Sequence, residues 1–277
     1  MNKTLIFVFT ALTFVLYALK NPSDEANAIV AEGKLLYKSE MASWYGTDLF
    51  LAKYENKENI GGYFSYTDKK TSNCIFFSKV DSPKVIGTIS FDSTYNVKTA
   101  KVNLKERKFT SFENNIYQLR KIALAEISTD TLFKRYKNTN FNLIPLISGK
   151  EKKVYVLTGP QQHGVVIFGN DYLLTFDKDN KLMNKKQLHK NIISISYGGT
   201  FKEGEQLHGT MHTHLPETGD YMTATDICTL LLYEKFTKWK THVVVSQKYC
   251  NTWNCETNQL TVTLRDTTGT INKEKKD

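Results

Sequence analysis

Short apolar runs separated by polar turn residues fill most of the chain and predict a protein rich in β-strands. The first runs follow Gly61-Gly62 and have the texture of an antiparallel meander, at residues 63–66, 74–77, 85–91 and 97–104. Similar runs resume later in the chain, at residues 141–147, 154–158, 165–168 and 172–176. Asn170-Asp171 lies between the last two runs and is a turn signal.

Helical patterns occur at three places along the chain. Residues 26–44 are rich in Ala, Glu, Lys and Leu and predict a helix, although Gly33 lies within it. Thr110 precedes Glu113 by three residues, a capping-box spacing, and apolar residues follow at helical intervals to residue 127. A third apolar pattern of helical spacing begins just after Asp226. Together these patterns predict the α+β class, with a mixed or antiparallel sheet and flanking helices.

The N-terminal segment is typical of a secretory signal. Lys3 precedes an uncharged stretch at residues 4–19, which is shorter than the roughly 20 residues that span a bilayer comfortably. Ala26-Asn27-Ala28 offers an imperfect cleavage site, so an uncleaved membrane anchor is the alternative. We expect an exported protein, periplasmic, secreted or on the cell surface, that contacts a membrane only through this segment if it is retained.

Composition divides the chain into four segments. We assign residues 1–28 to the signal or anchor, 29–149 to an N-terminal α+β region, 150–270 to a C-terminal module and 271–277 to a charged, solvated tail. Nothing in the sequence indicates what the N-terminal region does.

Composition narrows the class of protein. The 277 residues are 40% hydrophobic, which excludes collagen-like and wholly disordered chains. Lys and Arg number 37 against 28 Asp and Glu, giving a net charge of +9. Because the basic residues form no stripe or run, nucleic acid is not the expected partner. The four cysteines include no Cys-x-x-Cys pair, so a zinc ribbon is disfavoured, and Cys250 with Cys255 is either a small disulfide or an unpaired set.

Candidate chemistry is concentrated between residues 209 and 226. His212 and His214 are two residues apart in a predicted strand, so both imidazoles face the same side. Asp226 lies in the first turn of the following helix, three residues after the capping residue Thr223. Two histidines and one carboxylate leave the fourth position of a tetrahedral zinc ion for water, which is the arrangement of a hydrolytic site.

Each part of this pattern also has a plainer interpretation. A Thr-x-x-Asp sequence is often only a helix cap, and a His-x-His sequence is often surface or packed histidine. The combination favours a metal site, because the chain contains only six histidines and two of them lie beside this strand, loop and capped helix.

The order of these motifs resembles the core of the JAMM/MPN metallopeptidase fold. The resemblance covers residues 209–246, where a hydrophobic strand at 242–246 follows the capped helix, and extends more loosely from residue 154. It implies that His212, His214 and Asp226 bind zinc and that Thr223 helps to hold the oxyanion. It further implies a protein or peptide partner, cut at a peptide or isopeptide bond, and a glutamate that activates the zinc-bound water.

Two departures from that family pattern leave the function open. Eight residues, rather than seven, separate His214 from Thr223. The family glutamate is missing: Gln161 stands where the resemblance would place it, and glutamine cannot accept a proton from water. Glu217, Glu203 or Glu205 would have to replace it. We therefore carry three hypotheses: a zinc hydrolase, an inactive binding module on the same fold, and an unrelated structural α+β protein.

Overall fold

The computed structural model of the protein describes residues 22–197 and 207–265. It contains three α-helices within those residues: α1 (Pro22–Lys53), α2 (Ser111–Thr129) and α3 (Ala224–Thr237). The predicted α+β class is confirmed. The predicted signal up to residue 21, the tail at 271–277, Glu203 and Glu205 lie outside the described residues. None of the described helices is both long and apolar enough to cross a membrane.

Fourteen strands in the described residues form four groups. The first is an antiparallel sheet in the order β1 (Ile60–Asp68), β2 (Thr71–Ser78), β3 (Val85–Phe91), β4 (Lys101–Asn103). The second is an antiparallel sheet in the order β5 (Thr139–Ser148), β6 (Glu151–Pro160), β8 (Tyr172–Phe176), β9 (Leu182–Gln187). The third is the antiparallel pair β7 (Val165–Gly169) and β10 (Ile192–Ser196). The fourth is a mixed sheet in the order β11 (Gly209–Thr213), β12 (Thr241–Val245), β13 (Tyr249–Asn254), β14 (Gln259–Leu264), in which only β11 and β12 are parallel.

Helix α2 begins where its capping box predicts. The Thr110 hydroxyl accepts a hydrogen bond from the Glu113 amide at 3.2 Å, and the Glu113 carboxylate accepts one from the Thr110 amide at 2.8 Å. The Arg107 guanidinium donates to the same carboxylate at 2.6 Å, which compensates the charge of a side chain that is otherwise buried. Four of the apolar positions that gave the helical pattern are buried in α2, namely Ile116, Leu119, Ala123 and Ile127. Phe112, the first position of that pattern, is exposed.

Helix α1 contributes to three of the apolar clusters in the described residues. Leu36 packs with Tyr155 and Cys228, while Met41, Ala42 and Phe50 pack against the first sheet. Gly33 lies where α1 crosses α3, and a Cβ atom there would come within 2.6 Å of the Ile227 Cβ. The glycine that interrupts the helical pattern therefore permits close packing of α1 on α3, next to Asp226.

One sequence expectation needs correction, and one pair of open alternatives is decided. The run at residues 97–104 forms a strand only at Lys101–Asn103, because Asn96 starts a polar turn in which its side chain accepts a hydrogen bond from the Lys98 amide at 3.0 Å. Cys250 and Cys255 do not form a disulfide, and all four cysteines are free. Cys250 lies near the start of β13, and Cys255 follows the last residue of that strand. The extended strand between them is longer than the separation of about 7 Å within which the Cα atoms of a disulfide must lie.

Candidate metal centre

Four buried side chains converge from separate parts of the chain: His189, His212, His214 and Asp226. His212 lies on β11, and His214 follows that strand with its amide donating to the Val245 carbonyl of β12 at 2.9 Å. Asp226 occupies the first turn of α3, and His189 lies between β9 and β10. The structure thus brings the three predicted ligands together and adds a fourth.

The spacing of the four side chains fits a single small cation. The Nε2 atom of His214 lies 3.2 Å from the Nε2 atoms of both His189 and His212, and 3.2 Å from Oδ2 of Asp226. The Oδ1 atom of Asp226 lies 3.5 Å from Nε2 of His189 and 3.7 Å from Nε2 of His212. Ligand atoms of a tetrahedral zinc ion with bonds of about 2.0 Å are about 3.3 Å apart.

The hydrogen bonds around the cluster also fit a cation. Oδ1 of Asp226 is buried and has no hydrogen-bond partner among the described residues. Nδ1 of His212 lies 2.9 Å from Nε2 of His242, and Nδ1 of His189 lies 3.5 Å from the Asp171 carboxylate. An outer partner at Nδ1 favours the tautomer with its proton there, which leaves the lone pair on Nε2. The Nε2 atoms then face one another and the Asp226 carboxylate, and a divalent cation could accept all of these lone pairs at once. Imidazole and carboxylate ligands suit zinc and other first-row divalent ions.

Without a metal ion, the cluster holds a buried ion pair. Burial alone would lower the pKa of His189, but the Asp226 and Asp171 carboxylates outweigh it and raise that pKa to about 10. Burial alone would raise the pKa of Asp226, but His189 and His212 hold it well below its usual range. Burial lowers the pKa of His212 to about 4 and that of His242 to about 3, so both rings are neutral at pH 7. His189 therefore carries a proton in the metal-free cluster, and the positive charge of a metal ion bound beside it would expel that proton.

Zinc affinity is accordingly expected to rise with pH. The metal-free protein keeps His189 protonated up to a pKa of about 10, so binding releases one proton, and the association constant should rise about tenfold per pH unit between pH 7 and 9. Competition with a chelator of known pH dependence at three pH values measures the slope. His189→Gln, which carries no such proton, serves as the control and should show a slope near zero. Equal slopes in the two proteins would contradict the assigned proton.

A small cavity of about 120 Å³ opens beside the cluster. His189 and His212 line it, together with Phe168, Thr213 and Leu215. His214 and Asp226 do not. Among the described residues no Asp or Glu side chain lines this cavity. A small molecule would therefore approach the cluster on the side of His189 and His212 and would meet no carboxylate on its way.

The other predicted site residues lie elsewhere or act differently. The Thr223 amide and hydroxyl donate to Oδ2 of Asp226 at 2.9 and 2.8 Å, so Thr223 holds the carboxylate in place. Glu217 is exposed in the loop after β11 and does not line the cavity. Gln161 is also exposed, and its amide donates to the Asn140 side chain at 2.7 Å rather than to any member of the cluster.

Sequence reasoning missed His189, His242 and Asp171. His189 is separated from His212 by the strand β10, which the apolar pattern did not identify, and no motif joins the two. Asp171 was interpreted only as part of a turn, yet it is buried and its Oδ1 accepts a hydrogen bond from the Thr158 amide at 2.9 Å. The number of histidines could have pointed to His189 and His242, because four of the six histidines in the chain lie in this cluster or contact it directly.

The fold and the cluster define an α+β protein with a buried group of three histidines and one aspartate that could hold a metal ion. Comparison of the chain with protein-family models gives no match, and comparisons with curated proteins and with solved structures find no significant similarity.

Proposed function

We propose that the protein is a zinc-dependent hydrolase of peptide or isopeptide bonds, with zinc held by His212, His214 and Asp226. The observation that carries the proposal is the position of His189, which faces these ligands, lines the adjoining cavity and has a buried carboxylate behind it. The resemblance to JAMM/MPN metallopeptidases supports the same ligand set. The exported location expected from residues 1–28 is part of this proposal and rests on the sequence alone.

His189 supplies the proton acceptor that Gln161 cannot. Its Nε2 atom lies 3.2 Å from that of His214 and 3.5 Å from Oδ1 of Asp226, two of the residues that would hold the metal, and its Nδ1 atom lies 3.5 Å from Asp171. A bound zinc ion lowers the pKa of water and polarises a carbonyl group. His189 then takes a proton at Nε2 while Asp171 orients the ring and stabilises its positive charge.

The surroundings of the cavity support an extended peptide as the substrate. The outer edges of β10 and β11 have no strand partner within the described residues. Ile193 of β10 faces the small cavity at the cluster, and Ile195 faces a second cavity of about 560 Å³ that Met211 of β11 also lines. Extended peptides bind unpaired strand edges through main-chain hydrogen bonds. A polypeptide lying between these two edges would lead to His189 and His212.

A closed metal site is the second candidate function. Four side chains whose ligand atoms all lie within 4.8 Å of one another can saturate a zinc ion, which is the pattern of structural sites. His189 would then be a ligand and not a base, and the protein would be a binding module whose metal stabilises the fold. The two candidates differ in what His189 does.

Replacing His189 by Gln separates these candidates. In the hydrolase, His189→Gln keeps zinc and lowers turnover of quenched peptide libraries by about 10²–10⁴-fold, the usual contribution of a general base. In the closed site, the same change lowers zinc affinity by at least about a hundredfold. His163→Gln is the matched control, because His163 is exposed and away from the cluster.

The outcomes are scored by zinc content, by the absorption spectrum of the cobalt-substituted protein and by peptide cleavage. Retained metal with lost turnover supports the hydrolase. Loss of metal and a changed cobalt spectrum support the closed site. Wild-type protein that is fully loaded with zinc but leaves both linear-peptide and isopeptide libraries uncut would refute hydrolysis of these bonds.

A further inference from the structure

A second histidine lies directly behind His212. His242 is fully buried on β12, and its Nε2 atom is 2.9 Å from Nδ1 of His212. Its other nitrogen, Nδ1, is 2.7 Å from the Thr210 hydroxyl. The parallel pairing of β11 and β12 creates this contact, because it aligns Thr210 with His242. The three side chains form one continuous chain of hydrogen bonds that ends at the cluster.

Aromatic rings hold His242 in this orientation. Phe168 stacks on its imidazole with centroids 4.6 Å apart and an interplanar angle of 14°. Trp239 also lies nearly parallel to it, at 6.3 Å and 23°. A buried ring with stacked neighbours has little freedom to rotate, so its two nitrogens keep their partners.

Two proton arrangements satisfy this chain when both rings are neutral. In the first, Nδ1 of His212 donates to His242, and Nδ1 of His242 donates to Thr210. In the second, the Thr210 hydroxyl donates to His242, and Nε2 of His242 donates to His212. The second arrangement puts the proton of His212 on Nε2, where it faces His214 at 3.2 Å and blocks a metal ion. Only the first leaves the Nε2 lone pair of His212 available.

We infer that His242, supported by Thr210, is a positioning residue that fixes His212 in the tautomer able to bind the metal ion. The inference rests on the metal site of the proposed function but not on hydrolysis. The three histidines differ in this respect. Among the described residues, Nδ1 of His189 and Nδ1 of His214 make no hydrogen bond, although the Asp171 carboxylate lies 3.5 Å from Nδ1 of His189. Of the three, only His212 has a hydrogen-bonded Nδ1, and its partner is a neutral imidazole whose own proton must be placed.

The test compares three variants with the wild type as zinc-loaded, full-chain proteins. His242→Leu removes the acceptor and should raise the zinc dissociation constant about 10–100-fold, as loss of an outer partner typically does. His242→Gln restores an acceptor oxygen and should recover most of the affinity. Thr210→Val removes only the hydroxyl and should give an intermediate loss. His163→Leu is the control for losing an exposed histidine, and thermal unfolding of the metal-free proteins reports any change in the fold.

Nitrogen-15 NMR of the histidine rings gives a readout that packing alone would not move. In the metal-free proteins, we expect His212 to be protonated at Nδ1 in the wild type and in His242→Gln. In metal-free His242→Leu we expect a mixture of both tautomers. If His242→Leu fails to fold, Thr210→Val carries the test.

Zinc affinity within about twofold of the wild type in both His242→Leu and Thr210→Val, or in Thr210→Val alone if the leucine variant does not fold, would overturn the inference. So would a His212 tautomer that is the same in every variant. Wild-type protein that binds no zinc would instead refute the metal site itself, which distinguishes that failure from a failure of the positioning role.

Discussion

Replacing Asp226 by Asn should abolish stoichiometric zinc binding while leaving the protein folded. Asparagine has the shape of aspartate, and its amide oxygen can still accept the hydrogen bond from the Thr223 amide that starts α3. It lacks the negative charge that faces His189 and His212, so zinc affinity should fall by more than the 10–100-fold typical of an outer partner. Elemental analysis of protein purified without a tag or chelator should give about one zinc per chain for the wild type and none for the variant.

The control for this change is His163→Ala, which removes an exposed histidine and should leave zinc content unchanged. Circular dichroism verifies that Asp226→Asn retains the helices. Equal zinc content in Asp226→Asn and the wild type would show that the cluster is not the metal site.

Replacing Gly169 by Ala should strongly destabilise the protein. Gly169 ends β7 with φ of +88°, a conformation that costs a residue with a Cβ about 1–2 kcal/mol. The new methyl group would also overlap the Asn191 carbonyl oxygen, which accepts a hydrogen bond from the Asn170 amide at 2.9 Å. Overpacking adds about 1–3 kcal/mol, so the total loss should be about 2–5 kcal/mol, measured by urea unfolding.

Gly149→Ala is a matched control for this effect. Gly149 also has positive φ, at +58°, but no atom lies within 4 Å of where its Cβ would be. Its replacement by alanine should therefore cost only the backbone strain of a positive φ, about 1–2 kcal/mol. Because Asn191 lies two residues from His189 and lines the same cavity, Gly169→Ala should also weaken zinc binding, whereas Gly149→Ala should not. Equal losses in stability from the two changes would contradict the predicted clash.

Local features of this fold were predictable from sequence, since local chemistry determines them. The Thr110 and Glu113 spacing located the start of α2, and the Thr223 and Asp226 spacing located the start of α3, because each box satisfies backbone groups within one turn. The alternation in β11 likewise placed His212 and His214 on one side of the strand.

The missed parts of the site depend on contacts between distant segments. His189 joins the cluster only after β9 and β10 have formed. The charged and polar residues of β9 hide its pattern, and β10 is a run of only five residues. His242 reaches His212 through the parallel pairing of β11 with β12, which sequence spacing does not reveal. The same limit explains Cys250 and Cys255. Their spacing suits a turn as well as a strand, and pairing with β12 and β14 makes the segment up to Asn254 a strand, with Cys255 just beyond it.

One carboxylate serves two purposes in this protein. Asp226 completes the capping box of α3 through Oδ2 and presents its charge to three histidines. Mutational drift in a lineage that no longer used the metal would act unequally on these residues. His189 and His214 would be free to change, whereas aspartate at 226 would persist for the sake of the helix, so His189 is the residue whose presence in a relative would report a working centre.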